Sequence, residues 1–117
     1  MSSVYAVISG GQLITTDLIM RLKNELKLRV IFSGYGMTET IITHVQVYLL
    51  HLFTPEQHDN SLGKPIPYCE CKIIDPNSGE IVPHNTEGQI CVRSFSVTRQ
   101  FWNDEEMTRK MIDKNGW

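Results

Sequence analysis

The sequence has few cysteines, no excess of charge of one sign and no long apolar run. Its 117 residues include three cysteines, an odd number that is too small for a disulfide framework. Lys and Arg number 11 against 13 Asp and Glu, and this balance argues against a nucleic-acid-binding surface. No stretch approaches about 18 consecutive apolar residues, so no transmembrane segment is predicted. With 41% hydrophobic residues, the composition is that of a globular chain rather than a disordered one.

The cysteines and histidines do not follow a metal-ligand pattern. Cys69 and Cys71 alternate along a predicted strand, and we expect them to be buried, reduced thiols that act as small hydrophobic side chains. Histidines recur every seven residues from His44 to His58, but Pro55 interrupts the last interval. Zinc sites use tighter spacing. We therefore expect no metal site built from these side chains.

The first half predicts a strand–helix–strand unit. Residues 4–8 form a β-branched, apolar strand. Thr15 is suited to cap a helix from Thr16 to about Leu26, with an apolar stripe along one face. A second strand follows over about residues 28–33. Because such crossovers are almost always right-handed and join parallel strands, we expect a βαβ unit from the end of a doubly wound parallel sheet.

Two later segments are harder to assign. Residues 40–53 are apolar with interspersed polar side chains, and their pattern does not decide between helix and strand. Residues 64–67 contain two prolines and are expected to interrupt regular structure.

The second half is predicted to be β-rich and barrel-like, with a short closing helix. Strands are expected at residues 69–74, 80–82 and 88–93, with a turn at residues 75–79. Asn103 is suited to cap the last helix, on which Met107 and Met111 would share a core-facing side. The chain thus divides into an αβ part, residues 1–60, and a β-rich part, residues 61–117, of one α/β domain.

One heptad, Gly34-Tyr35-Gly36-Met37-Thr38-Glu39-Thr40, combines residues suited to a nucleotide. Glycines let the backbone approach a ligand closely, and a tyrosine between them offers a flat face to a purine. A threonine hydroxyl can donate to phosphate, and a carboxylate suits Mg²⁺ bound beside substrate phosphates. The heptad follows a predicted strand, at the edge where open α/β sheets bind ligands. A simple turn opening a helix is the alternative for the heptad alone.

Further motifs occur in a fixed order around the heptad. They are Ser9-Gly10-Gly11, Ser61-Leu62-Gly63-Lys64-Pro65-Ile66-Pro67, Thr86-Glu87-Gly88-Gln89-Ile90-Cys91-Val92-Arg93, Phe101-Trp102-Asn103-Asp104-Glu105-Glu106-Met107-Thr108 and Asp113-Lys114-Asn115-Gly116-Trp117. Together with the heptad, this set resembles the ANL superfamily of adenylate-forming enzymes over almost the whole chain. Within that superfamily it is most similar to acyl-CoA synthetases that activate medium-chain fatty acids.

The resemblance implies an AMP-forming reaction that uses ATP, Mg²⁺ and CoA. A fatty acid or related carboxylate would attack ATP to give an acyl-adenylate, from which CoA takes the acyl group. Tyr35 would pack on adenine between Gly34 and Gly36, and Gly10 and Gly11 would form backbone wall beside the nucleotide. The resemblance implies two catalytic residues: Thr38 would bind the phosphates, and Glu39 would bind Mg²⁺.

The resemblance also implies that other parts of the enzyme are missing. The turn at residues 113–116 is of a type that a strand should follow. The family's phosphate loop, ribose-binding aspartate and C-terminal domain with its catalytic lysine are also absent. We therefore expect a fragment that is inactive alone, and a noncatalytic product that acts by partner binding is the alternative. Ser94, Arg99 and Gln100 stand near positions where the family usually has glycine. Chain length of the acid, compartment and oligomeric state are not predicted.

Overall fold

The structure is a computed structural model that describes residues 4–117, except for the side chain of Gln57. It forms two compact units. The first unit contains residues 4–37 and 42–66, and the second contains residues 38–41 and 67–117. In the described chain, no helix is both long and apolar enough to cross a membrane.

The predicted βαβ unit is confirmed in the first unit. Strand β1 (Ala6–Gly10) pairs in parallel with β2 (Val30–Met37), and helix α1 (Thr16–Glu25) connects them. The Thr15 hydroxyl caps α1 by accepting a hydrogen bond from the Leu18 amide at 3.3 Å. This bond satisfies one of the amides that have no partner within the first turn of a helix. The helix limits agree with the prediction because its cap and apolar stripe are local signals.

The core of the first unit lies around α1, β2 and the segment after β3. Its buried side chains are Ile14, Ile19, Leu28, Ile31, Tyr48, Leu50 and Phe53. Ile14 precedes the helix cap and Ile19 lies in α1; both are buried, at the two positions that form a hydrophobic staple at a helix start. Burying one such side chain contributes about 1.5–3 kcal/mol. The core therefore fixes α1 and the strands on either side of it.

The segment that the sequence left undecided is a strand. Strand β3 (Ile41–Leu49) lies next to β2 in a sheet of order β1-β2-β3-β4. Consequently the spacing of His44 and later histidines does not define a helical face. The prediction that residues 64–67 lack regular structure was wrong, because β4 (Lys64–Pro65) pairs antiparallel with His44 and Val45. A proline is tolerated there since β4 is at the edge of this sheet.

The second unit contains an antiparallel pair of strands, β5 (Cys69–Ile74) and β6 (Gln89–Ser94). The expected turn between residues 75 and 79 is present, and the Asp75 carboxylate accepts hydrogen bonds from the amides of Asn77 and Ser78. The predicted strand at residues 80–82 was wrong: Ile81 makes only an isolated bridge to Ile74. Two backbone hydrogen bonds flank this bridge, from the Asp75 amide to the Glu80 carbonyl oxygen and from the Val82 amide to the Ile73 carbonyl oxygen.

A cluster of charged and aromatic side chains supports the β5–β6 pair. Arg93 donates to both carboxylate oxygens of Glu70, at 3.1 and 2.7 Å, and this contact holds the pKa of Glu70 below its usual value. The Trp117 ring lies 4.3 Å from Lys72 Nζ and 4.7 Å from Arg93 Cζ. These cation–π contacts fix the last turn, in which the Asp113 carboxylate accepts from the amides of Asn115 and Trp117.

The closing helix differs from the prediction in its cap and its packing. Helix α2 (Glu105–Met111) is capped by Asp104, whose carboxylate accepts from the Met107 amide at 2.9 Å. Asn103, the predicted cap, instead has a φ of 51°. Asparagine is among the residues that tolerate this left-handed region. Met107 and Met111 are 40% and 53% exposed, so the expectation that they belong to a core was wrong for the described chain.

The cysteines are free but less buried than expected. Cys69, Cys71 and Cys91 are all half-buried. Partial burial raises the pKa of the Cys69 and Cys71 thiols, which favours the unreactive protonated form.

Candidate active site

A cavity of about 300 Å³ lies within the first unit. Three connections form its walls: the loop after β1, the end of β2, and the segment that leads into β4. Its volume is at the lower end of the range for small-molecule sites, about 300–1,000 Å³. The lining residues are Gly11, Gln12, Leu13, Ser33, Gly34, Tyr35, Gly36, Ser61 and Leu62.

Three of the four glycines predicted from the sequence line this cavity. Gly11, Gly34 and Gly36 all contribute to the wall. Gly11 has a φ of 85°, in the region that favours glycine, and no heavy atom lies within 4 Å of the position a Cβ would take. Gly10 lies one residue earlier in β1, opposite Gly34, and a Cβ there would meet the Gly34 carbonyl oxygen at 3.1 Å. Gly10 therefore permits close pairing of the strands, and Gly11 leaves the wall free of a side chain.

Tyr35 is the aromatic residue of the cavity wall. It is half-buried within β2, so the heptad begins inside the strand rather than after it as predicted. Its ring contacts the His44 ring edge-on, with centroids 5.9 Å apart at 62°. Its carbonyl oxygen accepts a hydrogen bond from the Thr43 hydroxyl at 3.3 Å. Tyr35 is thus held at its ring and at its backbone.

The part of the cavity wall formed by Ser61 and Leu62 was not predicted as part of a site. Ser61 and Leu62 lie in a tight turn, in which the Asp59 carboxylate accepts from the Ser61 amide at 3.0 Å. The Ser61 hydroxyl accepts in turn from the Gly63 amide at 3.0 Å. The motif beginning at Ser61 was the available signal, but a sequence does not show which distant loops meet. Gln12, Leu13 and Ser33 were missed for the same reason.

Thr38 and Glu39 belong to the second unit, in the turn of residues 38–40. The Glu39 carbonyl oxygen accepts from the Thr98 amide at 2.7 Å, and the Thr40 carbonyl oxygen accepts from the Ser96 hydroxyl at 2.9 Å. These bonds fix the backbone of the turn. Within the described chain, neither the Thr38 hydroxyl nor the Glu39 carboxylate has a hydrogen-bonding or ionic partner.

Glu39 fits a metal that is held partly by a substrate. Among the described residues, no three His, Cys, Asp or Glu side chains are grouped so that they could hold an ion. Mg²⁺ does not need such a group, since it commonly takes one or two carboxylates together with substrate phosphates and water. The half-buried Glu39 carboxylate, which no described side chain pairs with, is a suitable ligand of this kind.

The residues that replace expected glycines cause no backbone strain. None of the three residues Ser94, Arg99 and Gln100 has a positive φ. The Ser94 hydroxyl lies 3.1 Å from that of Ser96, which holds the Thr40 carbonyl. Ser94 therefore supports the turn of residues 38–40 instead of distorting it.

A larger hollow in the second unit is a weaker candidate. It has a volume of about 680 Å³ and is lined by residues of the α2 N-terminal region. Its walls are mainly exposed side chains, and Trp102 is 93% exposed. Small-molecule sites usually bury most of their ligand. The cavity of the first unit is therefore the candidate site.

Comparison with known proteins identifies the family. Residues 1–102 match the model of the family described as AMP-binding enzyme. The chain belongs to this family. The expected place in the ANL superfamily is thereby confirmed.

Several AMP-binding enzymes are similar over the whole chain. The mitochondrial medium-chain acyl-CoA ligase ACSF2 of Danio rerio is 31% identical over 117 residues, which are all of this chain and 19% of that protein. The 4-coumarate–CoA ligase CCL1 of Humulus lupulus is 31% identical over 119 residues, covering all of this chain and 21% of that protein. The chain thus spans about a fifth of the length of these relatives.

A solved structure has the same fold. The luciferase-like enzyme of the nonluminescent Zophobas morio mealworm matches with a TM-score of 0.77 and 26% identity. The match covers 98% of this chain and 27% of that one. The α/β architecture is therefore that of the corresponding part of an AMP-binding enzyme.

Proposed function

We propose that this chain supplies part of the nucleotide site of an AMP-forming acyl-CoA synthetase. One observation carries the proposal: a glycine- and tyrosine-lined cavity is followed directly along the chain by a hydroxyl and a carboxylate that have no hydrogen-bonding or ionic partner among residues 4–117. An aromatic wall suits a purine, and free oxygen groups suit phosphates and their metal. The family to which the chain belongs supports the same assignment.

In this proposal, the cavity holds the adenine end of ATP. Tyr35 presents its ring as one wall, and Gly34 and Gly36 bring the backbone close to the base. Gly11 adds backbone from the loop after β1, and Gly10, one residue earlier, keeps β1 close to Gly34. The absence of a Cβ at Gly11 leaves space for the ligand where any other residue would place a side chain.

The turn of residues 38–40 serves the phosphates. Thr38 is exposed and can donate its hydroxyl hydrogen to a phosphate oxygen. Glu39 would hold Mg²⁺, which when bound supplies positive charge at the phosphate oxygens. Because the backbone of this turn is fixed by Ser96 and Thr98, both side chains start from a defined position. Donors fixed in advance stabilise a developing charge without further reorganisation.

The proposed reaction has two steps. A carboxylate oxygen of the acid forms a bond to the α-phosphorus of ATP, and the bond to the pyrophosphate oxygen breaks. The products are acyl-adenylate and pyrophosphate. The thiolate sulfur of CoA then bonds to the acyl carbon, and AMP leaves with its oxygen. Thr38 acts in the first step by stabilising negative charge on the phosphate.

We propose a medium-chain fatty acid as the substrate. One of the similar proteins is named a medium-chain acyl-CoA ligase, and this supports the choice. Another similar protein is named a 4-coumarate–CoA ligase, so an aromatic acid is the competing substrate class.

The test is ATP–pyrophosphate exchange with octanoate and with 4-coumarate, both at saturating Mg²⁺. It is run on this chain and on the longest reading frame that contains it. We expect octanoate-dependent exchange in the longer protein only. Preference for 4-coumarate would contradict the fatty-acid assignment. No exchange with any carboxylate would favour the noncatalytic alternative.

A further inference from the structure

Thr43 and His44 form a buried polar pair next to the Tyr35 wall. They are neighbours in β3, with 1% and 5% of their surfaces exposed. Consecutive strand residues normally point to opposite faces, so burial of both is unusual for two polar side chains. Buried polar groups are costly unless they are hydrogen-bonded. Here the pair is bonded: the Thr43 hydroxyl oxygen and His44 Nδ1 lie 3.0 Å apart.

The hydrogen bonds have a definite direction. The Tyr35 carbonyl oxygen can only accept, so Thr43 donates its single hydroxyl hydrogen to it. The Thr43 oxygen must then accept from His44, which requires a hydrogen on Nδ1. Burial lowers the pKa of His44 and favours the neutral ring. The chain of bonds therefore runs from His44 through Thr43 to the backbone of Tyr35.

Tyr35 needs such support because of its neighbours. Gly34 and Gly36 restrict the backbone less than any other residue type. The wall residue would have considerable freedom if β-sheet pairing were its only constraint. The bond to its carbonyl fixes the peptide, and the edge contact with the His44 ring limits the rotation of the tyrosine side chain.

We propose that Thr43 and His44 are positioning residues that hold Tyr35 ready to stack on the adenine of ATP. The inference rests on the proposed function, since it assumes that Tyr35 contacts the base. Neither residue needs to touch ATP. Their effect is to reduce the ordering that the tyrosine would otherwise undergo when the nucleotide binds.

The experiment measures ATP affinity by titration calorimetry on the product of the longest reading frame that contains this sequence. Thr43→Val removes the hydroxyl at nearly constant volume and is expected to weaken ATP binding about tenfold, equivalent to about 1.4 kcal/mol. Thr43→Ser keeps the hydroxyl and is expected to restore most of the affinity. In steady-state assays, the KM for ATP should rise while the KM for octanoate and kcat change little.

A second pair of variants separates the two contacts of His44. His44→Phe keeps a ring beside Tyr35 but loses the hydrogen on Nδ1. His44→Asn keeps a donor near that position but loses the ring. We expect each to weaken ATP binding by a few-fold, less than Thr43→Val. This pair provides the same comparison if Thr43→Val does not fold.

A double-mutant cycle with Tyr35→Ala distinguishes positioning from general stability. Once the ring is absent, Thr43→Val should have no further effect on ATP affinity. An equal loss in both backgrounds would overturn the inference and leave the proposed function intact. If the unmutated protein binds no ATP, the proposed function fails, and the inference fails with it.

Discussion

Gly63→Ala is predicted to be the most damaging single methyl addition in the first unit. Gly63 has a φ of 84°, in the left-handed region. A Cβ at this position would overlap the backbone carbonyl of Val45 and the amide nitrogen of Gln46 in β3. Neither neighbour is the end of a flexible side chain. The backbone itself would have to move.

The expected cost has two parts. An alanine in the left-handed region costs about 1–2 kcal/mol. Forcing backbone apart in a packed region adds about 1–3 kcal/mol by analogy with overpacked cores. A loss of about 2–5 kcal/mol is a large part of the stability of a typical domain, about 5–15 kcal/mol. The strain would fall on the turn that carries Ser61 and Leu62, so the candidate cavity should also change.

Gly79→Ala is the matched control. Gly79 has a φ of 73°, but nothing lies within 4 Å of its Cβ position. Gly79→Ala should therefore lower the free energy of unfolding only by the conformational part of the cost, about 1–2 kcal/mol. Urea unfolding followed by circular dichroism gives both free energies of unfolding, provided that the slope with urea is unchanged. The reasoning is refuted if Gly63→Ala costs no more than Gly79→Ala.

Three further predictions concern β3 and α2. Ile41 has a φ of 60°, which strains a β-branched residue, and its side chain is 64% exposed. Ile41→Gly should therefore raise the free energy of unfolding in urea titration by about 1 kcal/mol. A lower free energy of unfolding would contradict the inference that Ile41 is strained. Burial lowers the pKa of His44 from its usual 6.5. As pH drops below 6.5, the His44 ring is therefore protonated in the unfolded state before it is protonated in the folded state. The free energy of unfolding should fall over this pH range. His44→Phe should reduce the decrease of the urea midpoint with falling pH. An unchanged pH dependence would contradict the assignment of this effect to His44. Asp104→Ala should cost about 1 kcal/mol, whereas Asn103→Gly should cost little; equal losses in urea unfolding would count against Asp104 as the cap.

The sequence predicts the βαβ unit well because its signals are local. Thr15 and the apolar stripe after it define α1, and the strands on either side are rich in β-branched residues. Local signals do not decide the structure of β3. Its adjacent residues Thr43 and His44 are both buried, so the alternation that identifies a half-buried strand is missing.

The errors at other positions arise from tertiary structure. Lys64 and Pro65 form a strand only because β3 offers a free edge beside them. Asp104 and Asn103 are both good capping residues, and sequence alone does not decide between neighbours of equal propensity. In the candidate site, the heptad identified one wall of the cavity. The other wall, with Ser61 and Leu62, depends on chain reversal that local patterns do not encode.

The most direct test of the central proposal is the effect of Glu39→Gln on octanoate-dependent ATP–pyrophosphate exchange. The assay uses the longest reading frame that contains this sequence, over a range of Mg²⁺ concentrations. Glu80→Gln, which changes an exposed glutamate of the second unit, is the control. We predict that Glu39→Gln lowers the exchange rate about 10²–10³-fold, the usual loss for one transition-state contact, while the control retains normal exchange. Normal exchange by Glu39→Gln at every Mg²⁺ concentration would contradict the assignment of this turn to the phosphates and their metal.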